Sequence, residues 1–207
     1  MLVKTARPTR REQAEQTRRR IIKAAYQLFC DAGYEDTTMQ HVAGSAGVAV
    51  QTVYFVFGTK AKLLAEVESF VILGDAPSDR WREQPWAAEL RQESDPRRLI
   101  ARFVEIDTEI KGRITPFVLA VGSALPRNDR AKASRDEGRD QFFRSVIDRL
   151  VALGALRPGL DPERALEVVI AVDSIEAHTE LTWRRGWTAE EWCNWLTQLL
   201  CRELLGQ

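Results

Sequence analysis

Three glycines, at positions 33, 47 and 58, divide the N-terminal third of the 207-residue chain into short segments. Residues 17–32 repeat apolar side chains within a stripe of about 120° on a helix surface. Glycine tolerates the left-handed backbone in which helices commonly end, so Gly33 predicts the end of this first helix. The stripe comprises Ile21, Ile22, Ala25, Leu28, Phe29 and Ala32.

Two short helices are predicted next, and each ends at a glycine. The first begins at Thr37 or Thr38, whose hydroxyl can cap it, and ends at Gly47. The second covers about residues 49–56, and a further helix starts at Lys60. A helix, a short helix, a tight glycine turn and another short helix form the pattern of a helix-turn-helix motif.

Helical periods continue through the rest of the chain, without alternating strand pairs joined by Asn-Gly or Asp-Gly turns. The sequence therefore predicts an all-α fold. Residues 74–96 are rich in Pro, Asp and Ser, which predicts a loop or broken helix held in place by Trp81 and Trp86. Further helices are predicted over about 96–112, 114–124, 128–153, 161–184 and 188–205.

The formal net charge of zero hides an asymmetry along the chain. Residues 1–62 hold ten basic and five acidic side chains, so this segment carries +5 and the remainder −5. A basic segment is a candidate for binding a polyanion, although a charged run is more often only a solvated surface. The sequence has no apolar leader and no run of about 18 uncharged apolar residues, so a cytoplasmic protein without membrane contact is expected.

The three cysteines and two histidines do not form a metal-binding pattern. Cys30, Cys193 and Cys201 include no CxxC pair, and His41 and His178 lack zinc-ligand spacing. Reduced, buried thiols are predicted, with redox sensing as the open alternative. No metal or cofactor is expected, and no nucleophile-and-base motif or phosphate-binding loop indicates an enzyme.

The segment VAVQTVYFVFGTK, residues 48–60, has the composition of a buried β-strand. With a helical period, however, Val48, Val53 and Phe57 share one inner face. A recognition helix divides its side chains in this way, because one face packs on supporting helices while the other meets DNA. The outward face would then hold Val50, Gln51, Tyr54 and part of Phe55, with Thr52 near its edge.

Side chains of this surface suit contacts with DNA. Gln51 can bond adenine through two hydrogen bonds, and Val50 can lie against a thymine methyl group. The alternative is that Tyr54 and Phe55 are core aromatics and Lys60 is an exposed residue at a helix start. Hydroxyl and ammonium donors to phosphate oxygens, which set register without reading sequence, are predicted at Thr38, Thr52, Tyr54 and Lys60.

Three motifs follow one another in residues 17–64: A-x-x-L-F-x-x-x-G-Y-x-x-T-T, V-A-x-x-A-G-V and T-V-Y-F-x-F-x-x-K-x-x-L-L. With this order and spacing the segment resembles the DNA-binding domain of the TetR family of bacterial transcriptional regulators. The resemblance implies a homodimer with three DNA-binding helices per subunit and a helical C-terminal domain that binds an effector. It divides the chain into a basic arm (1–16), a helix-turn-helix domain (17–62) and an effector-binding and dimerisation domain (63–207).

The resemblance also implies roles for single positions. In the family, the positions of Thr38, Thr52, Tyr54 and Lys60 commonly contact phosphates, and those of Val50, Gln51 and Phe55 face the groove. The sequence departs from the family at Ala49, where a capping Ser is usual, at Val56, often His or Tyr, and at His41, often acidic. Because no basic residue stands at 50 or 51, extra minor-groove or phosphate contacts are expected from Arg7, Arg10 and Arg11.

The C-terminal half is less informative. An effector pocket is expected among the helices at 96–184, with Phe103, Asp107, Phe117, Phe143 and His178 as candidate members. The last two helices are amphipathic and can form a four-helix interface between two subunits, with an ordinary intrachain core as the alternative. The interface candidates are Val172, Ile175, Thr179, Trp192, Trp195, Leu196 and Leu199.

The favoured function is a transcriptional regulator, expected to be a repressor that a small-molecule effector releases from a palindromic operator. Its expected partners are double-stranded operator DNA, a second copy of the chain and an unknown effector, with a nucleoid-associated location. One alternative is a constitutive DNA-binding protein without an effector. The other, which no catalytic motif supports, is an all-α small-molecule enzyme.

Overall fold

The computed structural model describes residues 9–73, 81–122 and 129–205, and every regular element in those ranges is helical. This confirms the all-α prediction. None of the described helices is both long and apolar enough to span a bilayer. The helices are α1 (Arg10–Asp36), α2 (Met39–Ala46), α3 (Val50–Phe57), α4 (Lys60–Leu73), α5 (Pro85–Gln92), α6 (Pro96–Val121), α7 (Asp129–Ala152), α8 (Pro162–Val172), α9 (Ile175–His178) and α10 (Ala189–Leu200). Shorter turns are a 3₁₀ turn at Trp81–Glu83 and π-helical turns at Thr179–Arg184 and Cys201–Leu205.

The chain forms two compact units. Within the described residues, the first unit holds α1 to α4 together with the end of α6 from Pro116 onward. The second unit holds α5, α6 as far as Thr115, and α7 to α10. The boundary expected after residue 62 lies inside α4, which continues to Leu73.

The first helix begins earlier than the sequence indicated. Thr9 caps α1: its hydroxyl accepts from the Glu12 N–H at 3.3 Å, and the Glu12 carboxylate accepts from the Thr9 N–H at 2.6 Å. This capping box starts the helix at Arg10, so the expected arm is helical over residues 10–16. Arg7 lies outside the described residues.

Glycine and threonine set the ends of the short helices as predicted. Gly33 has φ of 81° and interrupts the geometry of α1, after which one further turn reaches Asp36. Thr38, rather than Thr37, caps α2 by accepting from the His41 N–H at 3.1 Å. Gly47, with φ of 63°, ends α2 in the left-handed conformation.

The core of the first unit is formed by all four of its N-terminal helices. Each contributes side chains that are almost fully buried, so α3 is held by apolar contacts on one side only. These residues include Ile21, Ala25 and Phe29 of α1, Val42 of α2, Val53 of α3, and Leu63 and Val67 of α4. Tyr26 adds a stacked contact with Phe117, at 6.3 Å between ring centroids.

Two helix boundaries predicted in the second unit are wrong. Gly112 does not end α6, which continues through Gly112 and Pro116 to Val121, so no separate helix begins at 114. The unfavourable helix propensity of one glycine, about 1 kcal/mol, is small beside the burial of apolar residues on either side. Conversely, the helix expected over 161–184 breaks at Asp173, after which Ser174 caps α9.

Aromatic side chains organise the core of the second unit. Trp81 and Trp86 stack with 6.3 Å between ring centroids, and both contact Phe142 edge-on, which confirms that they hold the 81–92 segment in place. A capping box formed by Thr188 and Glu191 opens α10. The most buried side chains of this core are Leu99, Ile100 and Phe103 of α6, Phe143, Ile147 and Leu150 of α7, and Trp192 and Leu196 of α10.

Candidate functional site

The segment with strand-like composition is helix α3. Val53 and Phe57 are 0% and 5% exposed, whereas Tyr54 is 52% and Phe55 91% exposed. The helix predicted for this segment is confirmed, and the alternative of Tyr54 and Phe55 as core aromatics is wrong. Helix α3 thus exposes two aromatic side chains, Tyr54 and Phe55, to solvent, which is unusual unless a partner covers them.

The N-terminal end of α3 carries the other predicted contacts. Gln51 is exposed, and Val50 and Thr52 are partly exposed. Ala49 occupies the cap position and makes no side-chain hydrogen bond, as expected from the missing serine. The first N–H groups of α3 therefore lack a side-chain partner at the cap, where the helix dipole favours an anion such as phosphate.

Thr38 is exposed at the start of α2 and keeps a donor available. Its hydroxyl oxygen accepts from the His41 N–H, and its hydroxyl proton has no acceptor within the described residues, so it can bond an external acceptor such as a phosphate oxygen. Arg10 and Arg11 are also exposed, but they lie in the first turn of α1 rather than on an irregular arm.

Lys60 begins α4, as one of the suggested roles requires, but its ammonium has partners within the chain. Its ammonium donates hydrogen bonds to the carbonyl oxygens of Tyr34 at 2.7 Å, Thr37 at 2.9 Å and Glu35 at 3.3 Å, and it lies 4.2 Å from the centre of the Tyr34 ring. An ammonium has three N–H donors, so this set uses all of them. Lys60 thus joins the start of α4 to the segment between α1 and α2.

A family model described as bacterial regulatory proteins, tetR family, matches residues 21–67, which contain α2, α3 and most of α1. This part of the chain is therefore similar to the tetR family of bacterial regulatory proteins. A curated relative, the HTH-type transcriptional regulator SrpR of Pseudomonas putida, is 44% identical over 55 residues. That match covers 27% of this chain and only 26% of SrpR, so the likeness concerns about a quarter of each protein.

Solved structures resemble the chain over nearly its whole length. NalD of Pseudomonas aeruginosa, described as the secondary repressor of the MexAB-OprM multidrug efflux pump, is 23% identical, with a TM-score of 0.65 over 93% of this chain and 98% of NalD. A Saccharomonospora viridis protein solved in complex with choline is 20% identical, with a TM-score of 0.69 over 93% and 99% of the two chains. At these identities the likeness establishes the TetR-like helical fold.

The five effector-pocket candidates predicted from the sequence do not form one site. Phe103 and Phe143 are core residues, 1% exposed, with their rings perpendicular at 5.3 Å. Phe117 belongs to the first unit, where it stacks on Tyr26. Only His178 lines a concave site, and Asp107 belongs to a buried ionic cluster near it.

The buried ionic cluster consists of Asp107, Lys111 and Asp173. The Lys111 ammonium donates to the carboxylates of Asp107 and, at 2.5 Å, Asp173. Burial opposes the charge on Lys111, but the two carboxyl groups outweigh it and raise the pKa of the ammonium. Burial and the Asp107 charge raise the pKa of Asp173 well above its usual value, and its Oδ2 has no hydrogen-bond partner within the described residues.

The sequence did not single out most residues that line the concave site beside His178. Gly112, Thr182, Trp183 and Trp187 were missed. Gly112 was interpreted as a helix end, and the two tryptophans lie in a π-helical turn and the loop after it, where a regular 3.6-residue period gives no signal. The one sequence signal that pointed to this site was Gly112, a glycine within a helical pattern.

The dimer candidates separate into interior and surface residues. Trp192 and Leu196 are 0% exposed in the single chain, so they belong to its own core. The prediction that these two residues lie in a dimer interface is therefore wrong. The remaining candidates are partly exposed and stay available to a second copy: Val172, Ile175, Thr179, Trp195 and Leu199.

All three cysteines are free thiols in the structure. Burial raises the pKa of Cys30, Cys193 and Cys201, which favours the less reactive thiol form. No group of three potential ligands that could hold a metal ion occurs in residues 9–73, 81–122 and 129–205.

Proposed function

We propose that this chain is a ligand-responsive transcriptional regulator of the TetR family, a repressor that binds a palindromic operator as a homodimer. The observation that carries the proposal is the exposure of Phe55 and Tyr54 on a helix whose other face is fully packed. An isolated globular unit gains nothing from a nearly uncovered phenylalanine, whereas a recognition helix uses such a side chain against thymine methyl groups.

Helix α3 would lie in the major groove, with α2 crossing the phosphate backbone. Gln51, Val50 and Phe55 would meet base edges. Thr38, Thr52 and Tyr54 would contact phosphates, with Arg10 and Arg11 as further basic contacts at the start of α1. Because residues 50 and 51 lack a positive charge, sequence selectivity would depend on apolar contacts and one amide rather than on arginine–guanine pairs.

Homodimerisation would use the partly exposed apolar residues of α8 to α10, namely Val172, Ile175, Thr179, Trp195 and Leu199. Two recognition helices then meet half-sites one or two helical turns apart, about 34–36 Å per turn. An effector bound in the second unit would favour a dimer whose recognition helices no longer match that spacing. SrpR and NalD are regulators by their descriptions, which supports this function over an enzyme.

The function is tested by selecting fragments of genomic DNA with the purified chain and measuring their affinity by gel shift over a series of salt concentrations. A dimer with roughly eight phosphate contacts is expected to give a log–log salt slope near about −7. Tyr54→Phe is expected to weaken binding to all fragments, and Gln51→Ala to relax the preference among them. Selection of no fragments would contradict the function, and retention of DNA with every ligand tried would favour the constitutive alternative.

A further inference from the structure

A concave site in the second unit is bounded by α6, by the π-helical turn after α9 and by the segment that leads into α10. Its lining includes Thr108, Gly112, His178, Thr182, Trp183 and Trp187, and its volume is about 370 Å³. This lies within the roughly 300–1,000 Å³ range of small-molecule sites. It shares His178 with the pocket predicted from the sequence, whereas Phe103 and Phe143 are not among its lining residues.

Gly112 lines this site and places no side chain in it. It lies in the interior of α6, where glycine is less favourable than alanine, yet a Cβ atom at this position would meet no heavy atom within 4 Å. A side chain here would enter the concave site instead. One turn later, Pro116 has no N–H group, so the Gly112 carbonyl oxygen cannot accept the usual helical hydrogen bond.

Two indole rings form the walls. Trp183 is 54% exposed, and Trp187 is partly buried with its ring perpendicular to that of Trp195 at 5.9 Å. The main-chain N–H of Trp187 donates to the main-chain carbonyl of Leu181 at 3.0 Å, which fixes the backbone of this turn. Wide π-helical turns are frequent at binding sites, and flat indole surfaces favour planar aromatic molecules.

His178 is the polar side chain left to anchor a ligand. The hydroxyl groups of Thr108 and Thr182 already donate to main-chain carbonyls at 2.7 Å. The His178 Nδ1 lies 3.3 Å from the Thr115 hydroxyl, while its Nε2 has no hydrogen-bond partner in the described part of the chain. A hydroxyl group both donates and accepts, so it can pair with Nε2 in either tautomer.

The charges around His178 favour a neutral ligand. Burial, together with the positive charge of Lys111, lowers the pKa of His178 to about 4, so the imidazole is neutral at pH 7. The neutral ring therefore offers a hydrogen bond but no ionic partner to a ligand. Lys111 is held by the carboxylates of Asp107 and Asp173, so it offers no free partner to an anion.

We propose that this site binds a neutral, planar aromatic molecule with one hydroxyl group, stacked between Trp183 and Trp187 with its hydroxyl on His178. The inference rests on the effector-responsive function proposed above and names the chemical class of that effector. Ligands of this class would bridge α6 and the π-helical turn after α9, both of which line the site.

Three probes of the same shape test the chemical class: 2-naphthol, the 2-naphthoate anion and the 2-naphthyltrimethylammonium cation. Isothermal titration calorimetry of the full chain at pH 7 is expected to give 2-naphthol an affinity about tenfold or more above both charged probes. Gly112→Leu adds a side chain to the site and is expected to lower the affinity for 2-naphthol by about tenfold or more. Its matched control is Gly138→Leu on α7, where a Cβ atom is equally unobstructed, and this variant is expected to bind normally.

Three results would overturn the inference: equal affinity for all probes, no binding of 2-naphthol up to about 1 mM, or unchanged binding by Gly112→Leu with its helical circular dichroism intact. Gel shifts on the same preparations separate the two proposals. If the chain selects DNA but does not bind 2-naphthol, the regulator function is supported and the proposed ligand class is contradicted. A chain that binds 2-naphthol but selects no DNA keeps the binding site and removes the effector role.

Discussion

The Lys60 ammonium donates a hydrogen bond to the carbonyl oxygen of Tyr34, 2.7 Å away, and lies over the ring of the same residue. Two more carbonyls, of Glu35 and Thr37, complete its donor set. Because α1 ends at this segment and α4 begins at Lys60, one side chain joins the first and last helices of the N-terminal unit. We therefore expect Lys60 to stabilise the folded unit rather than to contact phosphate.

Lys60→Met should therefore destabilise the first unit. The variant removes a cation that satisfies three carbonyl oxygens, and hydrogen bonds to a charged group each contribute about 1.5–3 kcal/mol. We expect the free energy of unfolding to fall by about 2 kcal/mol in urea titrations followed by circular dichroism. Lys62→Met, two residues further along α4 at an exposed position, is the matched control and should have little effect.

The same pair of variants separates the internal role of Lys60 from a DNA contact. If the salt slope of DNA binding decreases by about one in Lys60→Met while stability is unchanged, Lys60 leaves its carbonyl partners and binds phosphate. An unchanged slope with reduced stability agrees with the hydrogen bonds seen in the structure.

Phe55→Ala should leave the fold intact and weaken DNA binding. The side chain is 91% exposed, so its truncation removes almost no packing and should change the free energy of unfolding by less than about 0.5 kcal/mol. A lost apolar contact with a base should reduce operator affinity by roughly tenfold in gel shifts. Phe57→Ala, in the buried face of α3, should have the opposite pattern and cost several kcal/mol of stability, about 3–5.

His178 should make the second unit sensitive to acid. Its pKa is lowered from 6.5 to about 4 in the folded chain, so the unfolded state binds the proton more tightly. The stabilisation is fully present above pH 6.5 and is lost as the pH falls toward 4, by at most about 3 kcal/mol. His178→Gln should show a smaller decrease in unfolding free energy between pH 7 and 4.5 than the unaltered chain, and an equal decrease would rule out this assignment.

Lys111→Met should destabilise the second unit more than any exposed lysine substitution. It removes the cation between Asp107 and Asp173 and leaves two buried carboxyl groups without a partner, at a cost of about 3–5 kcal/mol. Chemical denaturation at pH 7 measures this loss. A variant as stable as the native chain would show that the ionic cluster contributes nothing to the folded state.

The sequence predicted the N-terminal unit well because its helix ends depend on local chemistry. Thr38 caps α2 and Gly47 closes it through interactions within a few residues, which a sequence pattern can reveal. The outward orientation of Gln51, Tyr54 and Phe55 follows from a helical period alone. The internal hydrogen bonds of Lys60 were not predicted, because its acceptors lie more than twenty residues away in the chain.

The second unit was predicted less accurately, because its boundaries depend on tertiary contacts. Burial on both sides of Gly112 carries α6 through a residue that normally ends helices. The break at Asp173 coincides with its buried contact to Lys111, which the sequence does not indicate. Trp192 and Leu196 share the apolar face of α10 with exposed neighbours, and periodicity does not distinguish an inner core from a subunit interface.

The central claim is that α3 reads DNA through its exposed face, and selection of genomic fragments followed by footprinting tests it most directly. The native chain should enrich fragments that share a palindromic sequence, with protected half-sites one or two helical turns apart. Gln51→Ala and Phe55→Ala should lose that selectivity while remaining folded. Enrichment of no common sequence, or the same enrichment by both variants, would contradict the claim.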